Sequence, residues 1–231
     1  MKISFIIPCY NEIKTIEKAI QQVRDLQINK EIIIIDNGSS DGTREVLESI
    51  NSDDLQIVFQ DKNYGFGKSI QVASSLVTGD FIYIQFADLE YELKKCHEML
   101  IIAIRENLDA VFGSRLSSRI MNESFFSIIN KKPAFLATFI TTFLINKWYN
   151  YQFTDIIGSK FYRTSSLKTV IPQTNGQGFD FELVSIMCKR KFKIKEIQVG
   201  YTPRKNPREK KIKPYHMINA LWALIKVKWF G

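Results

Sequence analysis

Two carboxylates follow the most strand-like segment of the chain. The run from Phe81 to Ile84 is apolar and rich in β-forming residues, as is typical of a strand covered on both faces. Asp88 and Glu90 come shortly after it, two positions apart. In an extended chain, side chains at i and i+2 point to the same side, so we expect the two carboxylates to converge. Converging oxygens at the carboxyl end of a strand suit a hard divalent cation that is bound together with a diphosphate.

An acidic turn exposed to solvent would explain the same two residues. Phe86 bears on the choice, because in an extended segment it lies on the same face as Asp88 and Glu90. It stands where a third carboxylate would be expected in a cation site. The rest of the chain must therefore decide between a ligand site and a surface turn.

Alternating strand and helix signals position this segment in the first half of the chain. Continuous apolar runs predict strands at about 2–8, 31–35, 55–59, 81–85 and 110–113. Helical spacing predicts helices between them, at about 12–26, 43–50, 66–77 and 93–106. Repeated units of this kind predict an α/β fold with a mainly parallel sheet and helices on both faces. Ligands of such sheets lie at the carboxyl ends of the strands, where the loop at 36–43 and the acidic pair both fall.

The second half is less regular and has a strongly aromatic helical stretch. Residues 122–148 predict an amphipathic helix interrupted near Pro133. Its aromatic face fits either the protein core or a helix that lies in a membrane interface, with Lys131, Lys132 and Lys147 near the head groups. Further patterns predict a helix at 179–190, a strand at 193–201 and an amphipathic helix at 214–229.

Composition and charge limit the classes of function. The chain has 231 residues, a formal net charge of +8 and three cysteines without a CxxC pair, which predicts neither a disulfide framework nor a zinc site. We expect no secretory signal and no membrane-spanning segment, and therefore a cytoplasmic protein. From residue 186 onward, lysines and arginines far outnumber Glu196 and Glu209. That basic surface predicts an anionic partner: nucleic acid, an acidic membrane leaflet or a phosphorylated substrate.

Several motifs, taken in order, resemble one enzyme family. The sequences IIPCYNE (6–12), IDNGSSDGT (35–43), QFADLEYE (85–92) and GSR (113–115) are followed by Thr154-Asp155 with Gly158 and Lys160, GFDFEL (178–183), KEIQVGY (195–201), and Arg204 with Lys210 and Lys211. Together they resemble the family 2 glycosyltransferases of the GT-A fold. The likeness is greatest to the branch that contains dolichyl-phosphate mannose synthase and bacterial polyprenyl-phosphate glycosyltransferases. The resemblance covers almost the whole chain.

The resemblance implies a nucleotide site built from the first two loops. Pro8, Tyr10 and Glu12 would border the nucleotide, and Asp36 would hydrogen-bond the base or the ribose. Asn37 stands where the family often has a second aspartate. The loop at 36–43 would also form a turn and a helix N-cap, for which Ser and Asp are favoured.

The resemblance also assigns a metal to the acidic segment. Asp88 and Glu90 match the second carboxylate and the following ligand position of the family's D-x-D-type motif. They would hold Mg²⁺ or Mn²⁺ against the diphosphate, and Asp88 would thereby take part in catalysis. Phe86 occupies the first aspartate position of that motif, which places metal affinity and activity in question.

Basic residues of the second half would serve the phosphates. Arg115 would grip an acceptor phosphate with two parallel donors, and Lys160 would bind substrate. Arg204, Lys210 and Lys211 would close over the diphosphate from a loop. A polyprenyl phosphate is already an anion and needs no general base, whereas a sugar hydroxyl needs one, for which Asp180 is the candidate.

Other functional classes fit less well. The GFGKSI run that begins at Gly65 lacks the third glycine of a dinucleotide-binding fingerprint and follows the third strand, which argues against a dehydrogenase. Carboxylates at the strand ends would repel a nucleic acid backbone. A catalytically silent relative that binds a nucleotide sugar, and a transferase acting on a sugar hydroxyl in polysaccharide synthesis, remain as alternatives.

We therefore predict one GT-A domain over residues 1–231. Residues 1–116 would form the nucleotide-sugar half, and residues 117–231 the acceptor and membrane-surface half. The predicted reaction transfers a hexose from a GDP-mannose or UDP-glucose type donor to polyprenyl or dolichyl phosphate. The protein would lie on the cytoplasmic face of a membrane without crossing it.

Overall fold

The structure, a computed structural model, describes residues 1–117, 124, 127, 135–176, 178–203 and 216–230. Within them the strands are β1 Ile3–Cys9, β2 Lys30–Asp36, β3 Leu55–Phe59, β4 Phe81–Ile84, β5 Ala110–Ser114, β6 Ser159–Arg163 and β7 Ile194–Gln198. The helices are α1 Ile16–Arg24, α2 Thr43–Ser49, α3 Phe66–Leu76, α4 Lys95–Arg105, α5 Phe135–Tyr149, α6 Thr164–Lys168, α7 Phe179–Lys189 and α8 His216–Phe230.

The strands form one mainly parallel sheet in the order β3-β2-β1-β4-β6-β5-β7. β6 runs antiparallel to both of its neighbours, β4 and β5, whereas the other neighbouring strands pair in parallel. β6 and β7 come from the second half of the chain and complete the sheet begun by β1–β5. The α/β class with a mainly parallel sheet is confirmed.

The sheet is buried on both faces because side chains alternate along each strand. In β4, Ile82 and Ile84 join one hydrophobic cluster, which includes residues of α3, α5, α7 and α8. Phe81 and Tyr83 join the opposite cluster, with residues of α1 and α4. Apolar side chains on both faces explain why the strands read as continuous hydrophobic runs.

β6 and α6 were not predicted from the sequence. β6 contains Lys160, whose side chain is only 1% exposed, so a charged residue interrupts the apolar pattern by which a buried strand is recognised. The predicted helix at 122–148 corresponds to α5 from Phe135 onward. Its earlier part, including Lys131 and Lys132, lies outside the described residues apart from Ser124 and Ser127.

The sheet order reverses direction beside β1. β2 and β3 lie on one side of β1, and β4 pairs on the other, and the carboxyl ends of strands at such a point are the usual ligand site of α/β sheets. The predicted nucleotide and metal residues lie at or just after the carboxyl ends of β1, β2 and β4. In the part of the chain that the structure describes, no helix is both long enough and apolar enough to cross a membrane.

Candidate functional site

The loop after β2 is organised around a buried carboxylate. Asp36 is fully buried, and its Oδ1 accepts a hydrogen bond from the Ser39 amide at 3.1 Å. Its Oδ2 accepts one from Arg44 Nε at 2.8 Å and lies 2.7 Å from Arg44 Nη2. Arg44 therefore holds the charge of Asp36 at the end of the strand. Sequence reasoning missed Arg44, because its position in α2 looks like an ordinary helix surface.

Asn37 ties this loop to the loop after β3. Its Nδ2 donates to Asn63 Oδ1 at 3.0 Å, and its Oδ1 accepts from the Tyr64 amide at 2.9 Å. A carboxylate could take the second bond but not donate the first. The next residue, Gly38, has a φ of +74° and lies so close to the Lys62 backbone that a Cβ would overlap it. The amide in place of a second aspartate thus has a structural role here.

The loop after β1 lies against the loop after β2. The Asn11 amide donates to Ser39 Oγ at 2.9 Å, and the Glu12 amide donates to Thr43 Oγ1 at 2.8 Å. Glu12 Oε2 accepts a hydrogen bond from Thr15 Oγ1 at 3.0 Å. Since Cys9 pairs with Asp36 in the sheet, the structure brings the predicted nucleotide residues together at one edge: Pro8, Tyr10, Glu12, Asp36 and Asn37.

The acidic segment is a turn, and our expectation of an extended chain there is wrong. The backbone turns at Ala87 and Asp88, and Leu89 has a φ of +60°. Asp88 Oδ1 accepts a hydrogen bond from the Glu90 amide at 3.1 Å, which closes the turn. The same-face argument for Phe86, Asp88 and Glu90 therefore does not apply. Left-handed backbone at a leucine is strained, and such strain concentrates at functional sites.

Phe86 belongs to an aromatic cluster rather than to a set of ligands. Its ring stacks on Phe66, with centroids 5.6 Å apart, and lies 5.9 Å from the ring of Tyr91. Phe66 in turn meets Phe179 edge-on at 5.9 Å. Phe86 is half-buried and packs against the core. The residue at the first motif position thus anchors the turn by packing.

The donor chemistry of the turn fits a metal that is shared with a diphosphate. No group of three or more His, Cys, Asp or Glu side chains forms a metal cluster in the described ranges. Magnesium is commonly held by one or two carboxylates together with substrate phosphates, and Asp88 and Glu90 can supply that number. Tyr201 is held beside Glu90, because the Thr202 amide donates to the Glu90 carbonyl at 2.8 Å, and neighbours that orient a ligand are typical of metal sites.

Arg115 forms a buried ion pair with Asp155. Its Nε lies 2.6 Å from Asp155 Oδ2, and its Nη2 lies 3.0 Å from Oδ1. Burial alone would raise the pKa of Asp155, but the Arg115 charge outweighs it and the pKa is lowered. The two parallel donors that we expected to grip phosphate thus face Asp155, and among the described residues no hydrogen bond is seen for Nη1. Thr154-Asp155 in the motif series was the sequence signal for this partner.

Lys160 and Asp180 form a second buried charged group. Lys160 Nζ donates to the Gly158 carbonyl at 2.8 Å and lies 4.7 Å from the Phe112 ring centroid. Asp180, in the first turn of α7, has a buried Oδ1 for which the structure describes no hydrogen bond. Burial raises the pKa of Asp180 against the opposing charge of Lys160, and burial lowers the pKa of Lys160. An aspartate with a raised pKa is a competent proton acceptor.

Three predicted site residues lie outside the described residues, namely Arg204, Lys210 and Lys211. Tyr201, close before them, was not predicted to have a role of its own, although it ends the KEIQVGY motif. It meets both Glu90 and Arg115 in the structure.

Two curated glycosyltransferases are similar in sequence to this chain. The low-salt glycan biosynthesis hexosyltransferase Agl6 of Haloferax volcanii is 24% identical over 241 residues, which cover 99% of this chain and 56% of that protein. The dolichol-phosphate mannosyltransferase of Pyrococcus furiosus is 28% identical over 141 residues, which cover 59% of this chain and 40% of that protein. The chain thus spans between 40% and 56% of the length of these two curated relatives.

Solved structures show the same fold. Glucosyl-3-phosphoglycerate synthase of Mycobacterium tuberculosis, in complex with Mn²⁺, UDP and glucosyl-3-phosphoglycerate, is similar with a TM-score of 0.71 and 16% identity. The match covers 98% of this chain and 80% of that one, and it confirms the predicted GT-A fold. The family model described as "Glycosyl transferase family 2" matches residues 4–171. The chain belongs to the family 2 glycosyltransferases.

Proposed function

We propose that this protein transfers a hexose from a nucleotide sugar to polyprenyl or dolichyl phosphate at a membrane surface. The observation that carries the proposal is the order of the strands around β1, where the loop of Asp36 and the acidic turn of Asp88 and Glu90 follow the two strands that flank it, β2 and β4. The carboxyl ends of strands at such a point are the usual ligand site of a parallel α/β sheet. A relative with a lipid phosphate in its name, the dolichol-phosphate mannosyltransferase, favours this acceptor class.

The donor would bind through the first half of the chain, 1–116. Asp36, held by Arg44, offers a fixed acceptor to the base or ribose, with Pro8, Tyr10 and Glu12 alongside. Asp88 and Glu90 would hold Mg²⁺ or Mn²⁺ against the diphosphate. When bound, the metal neutralises the departing nucleoside diphosphate and lowers the cost of breaking its bond to the sugar. A GDP-mannose or UDP-glucose type donor suits this arrangement.

The acceptor would bind through the second half, 117–231. Arg115 retains Nη1 as a donor to phosphate after Asp155 takes its other nitrogens, and Lys160 adds a nearby positive charge in β6. Arg204, Lys210 and Lys211 would close over the diphosphate. Because a lipid phosphate is already charged, no general base is required.

Exposed apolar side chains on α5 and α8 favour the membrane surface. The two helices contact each other through Trp148 and Trp229, whose rings lie 5.1 Å apart. Apolar side chains that are at least one-third exposed recur at helical spacing on both helices: Leu136, Ile140 and Phe143 on α5, and Ile218, Trp222 and Trp229 on α8. Lys147 lies beside Phe143, with its Nζ 5.8 Å from the ring centroid. Apolar stripes with flanking lysines are typical of helices that lie in a membrane interface. The cytoplasmic face is the side we propose.

A vesicle-binding experiment tests the membrane surface. Ile218 and Trp222 are 68% and 60% exposed, so replacing both with serine removes two side chains that would be buried in lipid. Burying one large apolar side chain contributes about 1.5–3 kcal/mol, and we expect at least about 10-fold weaker binding to mixed phosphatidylcholine and phosphatidylglycerol vesicles. The matched control is Ile101→Ser, a 51% exposed isoleucine on α4. Equal binding by the control and the double variant would contradict the membrane role of α8.

The transfer reaction is tested with labelled GDP-mannose, UDP-glucose and related donors, Mn²⁺ and polyprenyl phosphate. We expect a lipid-linked sugar from one donor. Nucleotide binding without turnover of any donor would instead identify a silent relative. Product formation on a sugar hydroxyl, abolished by Asp180→Asn, would favour the polysaccharide alternative, to which the raised pKa of Asp180 lends support.

A further inference from the structure

We propose that Tyr201 is a positioning residue that fixes Glu90 and Arg115 relative to each other. The inference rests on the proposed function, in which Glu90 serves the donor and Arg115 the acceptor. Tyr201 does so through two separate parts of its side chain, the hydroxyl and the ring.

The backbone of Tyr201 is joined to the acidic turn. Tyr91 and Tyr201 form an isolated antiparallel β-bridge. The Thr202 amide donates to the Glu90 carbonyl at 2.8 Å, and the Glu92 amide donates to the Gly200 carbonyl at 3.2 Å. The rings of Tyr91 and Tyr201 lie 5.3 Å apart. These contacts place the Tyr201 side chain at the turn in one defined register.

The hydroxyl of Tyr201 is assigned to the candidate metal ligand, Glu90, because the backbone contacts hold the two residues next to each other. A phenol hydroxyl donates hydrogen bonds and a carboxylate accepts them, so the bond we infer runs from Tyr201 to the Glu90 carboxylate. A carboxylate held by one such donor has fewer orientations to lose when it binds a metal, which is how partners of metal ligands increase affinity.

The ring of Tyr201 supports the guanidinium of Arg115. Arg115 Cζ lies 5.3 Å from the Tyr201 ring centroid and 5.4 Å from that of Phe135. Asp155 fixes the guanidinium in its plane. A guanidinium within about 6 Å of an aromatic centroid is attracted to the ring. The ring and Asp155 together aim the remaining nitrogen, Nη1, which is the donor we assign to the acceptor phosphate.

Two substitutions test the hydroxyl and the ring of Tyr201 separately. Tyr201→Phe removes the hydroxyl and keeps the ring, whereas Tyr201→Leu removes both. Tyr151→Phe is the matched control, because Tyr151 Oη donates one hydrogen bond to the Phe192 carbonyl at 2.7 Å and contacts neither Glu90 nor Arg115. The measurements are the affinity for GDP and for UDP by calorimetry, with Mn²⁺ and with EDTA, and the KM for polyprenyl phosphate.

We expect the two substitutions to have different effects on nucleotide binding and on the KM for polyprenyl phosphate. Tyr201→Phe should weaken Mn²⁺-dependent nucleotide binding by about 10-fold and leave affinity in EDTA and the lipid KM within about twofold of wild type. Tyr201→Leu should in addition raise the lipid KM by about 5-fold. Tyr151→Phe should change neither quantity.

Results that overturn the inference are distinct from those that overturn the function. If Tyr201→Phe binds Mn²⁺ and nucleotide as the control does, Tyr201 does not position Glu90. If Mn²⁺ changes nucleotide affinity in none of the proteins, the inference also fails. Transfer to polyprenyl phosphate by the wild type would leave the proposed function standing in both cases.

Discussion

Replacing Asp155 with asparagine should reveal how strongly the Arg115 pair supports the fold. The side chain of Asp155 is fully buried and that of Arg115 is 10% exposed. Four hydrogen bonds reach the carboxylate, from Arg115 N, Nε and Nη2 and from the Ile157 amide. Asparagine keeps one acceptor oxygen, presents an NH₂ group to donors, and leaves the guanidinium without its counter-charge.

Breaking one partner of a buried ion pair typically costs about 3–5 kcal/mol of stability. For a chain of this length each kcal/mol corresponds to about 3 °C, so we expect Tm to fall by about 10 °C. Urea denaturation of the wild type and Asp155→Asn measures the loss directly. A double-mutant cycle with Arg115→Met should show that the two losses are not additive.

The chain contains a matched control in Arg24 and Asp54. That pair has the same two-bond geometry, with Arg24 Nε and Nη2 at 2.8 and 2.7 Å from the Asp54 oxygens, but the side chains are 30% and 47% exposed. Asp54→Asn should therefore cost less than about 1 kcal/mol. Equal losses for Asp54→Asn and Asp155→Asn would refute the argument that burial sets the strength of the Arg115 pair.

Three further outcomes follow from local structure. Partial burial alone would raise the pKa of Glu31, but hydrogen bonds from neighbouring donors lower it to about 2. The stabilisation by the Glu31 carboxylate is therefore present above about pH 4.5 and is lost toward pH 2. The stability difference between wild type and Glu31→Gln, measured by urea denaturation, should shrink on acidification, and a constant difference would contradict this. A Cβ on Gly158 would overlap the neighbouring strand backbone, whereas one on Gly176 meets nothing within 4 Å; Gly158→Ala should therefore lose over about 3 kcal/mol in denaturant and Gly176→Ala almost none. Phe86→Asp should lose about 2 kcal/mol because its stacked ring is removed, and a thermal melt like that of wild type would show that the ring does not support the turn.

The strands that the sequence predicted are those with uninterrupted apolar runs. β2, with four consecutive isoleucines, can be recognised because both faces of the sheet are covered, so the pattern needs no knowledge of the partner strand. β6 could not be found in this way, since Lys160 satisfies its ammonium through the Gly158 carbonyl and the Phe112 ring. A buried charge depends on neighbours from other elements, which a local pattern does not contain.

The candidate site shows the same contrast between features that the local sequence predicts and features that depend on the fold. The position of Asp36 at a strand end follows from sequence order, and it was predicted. The turn at Leu89 depends on a backbone conformation that leucine rarely adopts, so spacing alone gave the wrong geometry for Asp88 and Glu90. Asp155 lies 40 residues from Arg115, and although both residues stand in the motif series, their pairing was not predicted.

The place of β6 in the sheet bears on how the chain is synthesised. β4 and β5 are both made before β6, yet β6 lies between them and pairs with each. Until Ser159–Arg163 has left the ribosome, the two strands have no partner at these edges, and unpaired edges invite association with other chains. β4, the strand that precedes the acidic turn, therefore gains its second partner strand late in synthesis. Nascent chains halted before β6 should need chaperone protection that the finished sheet does not.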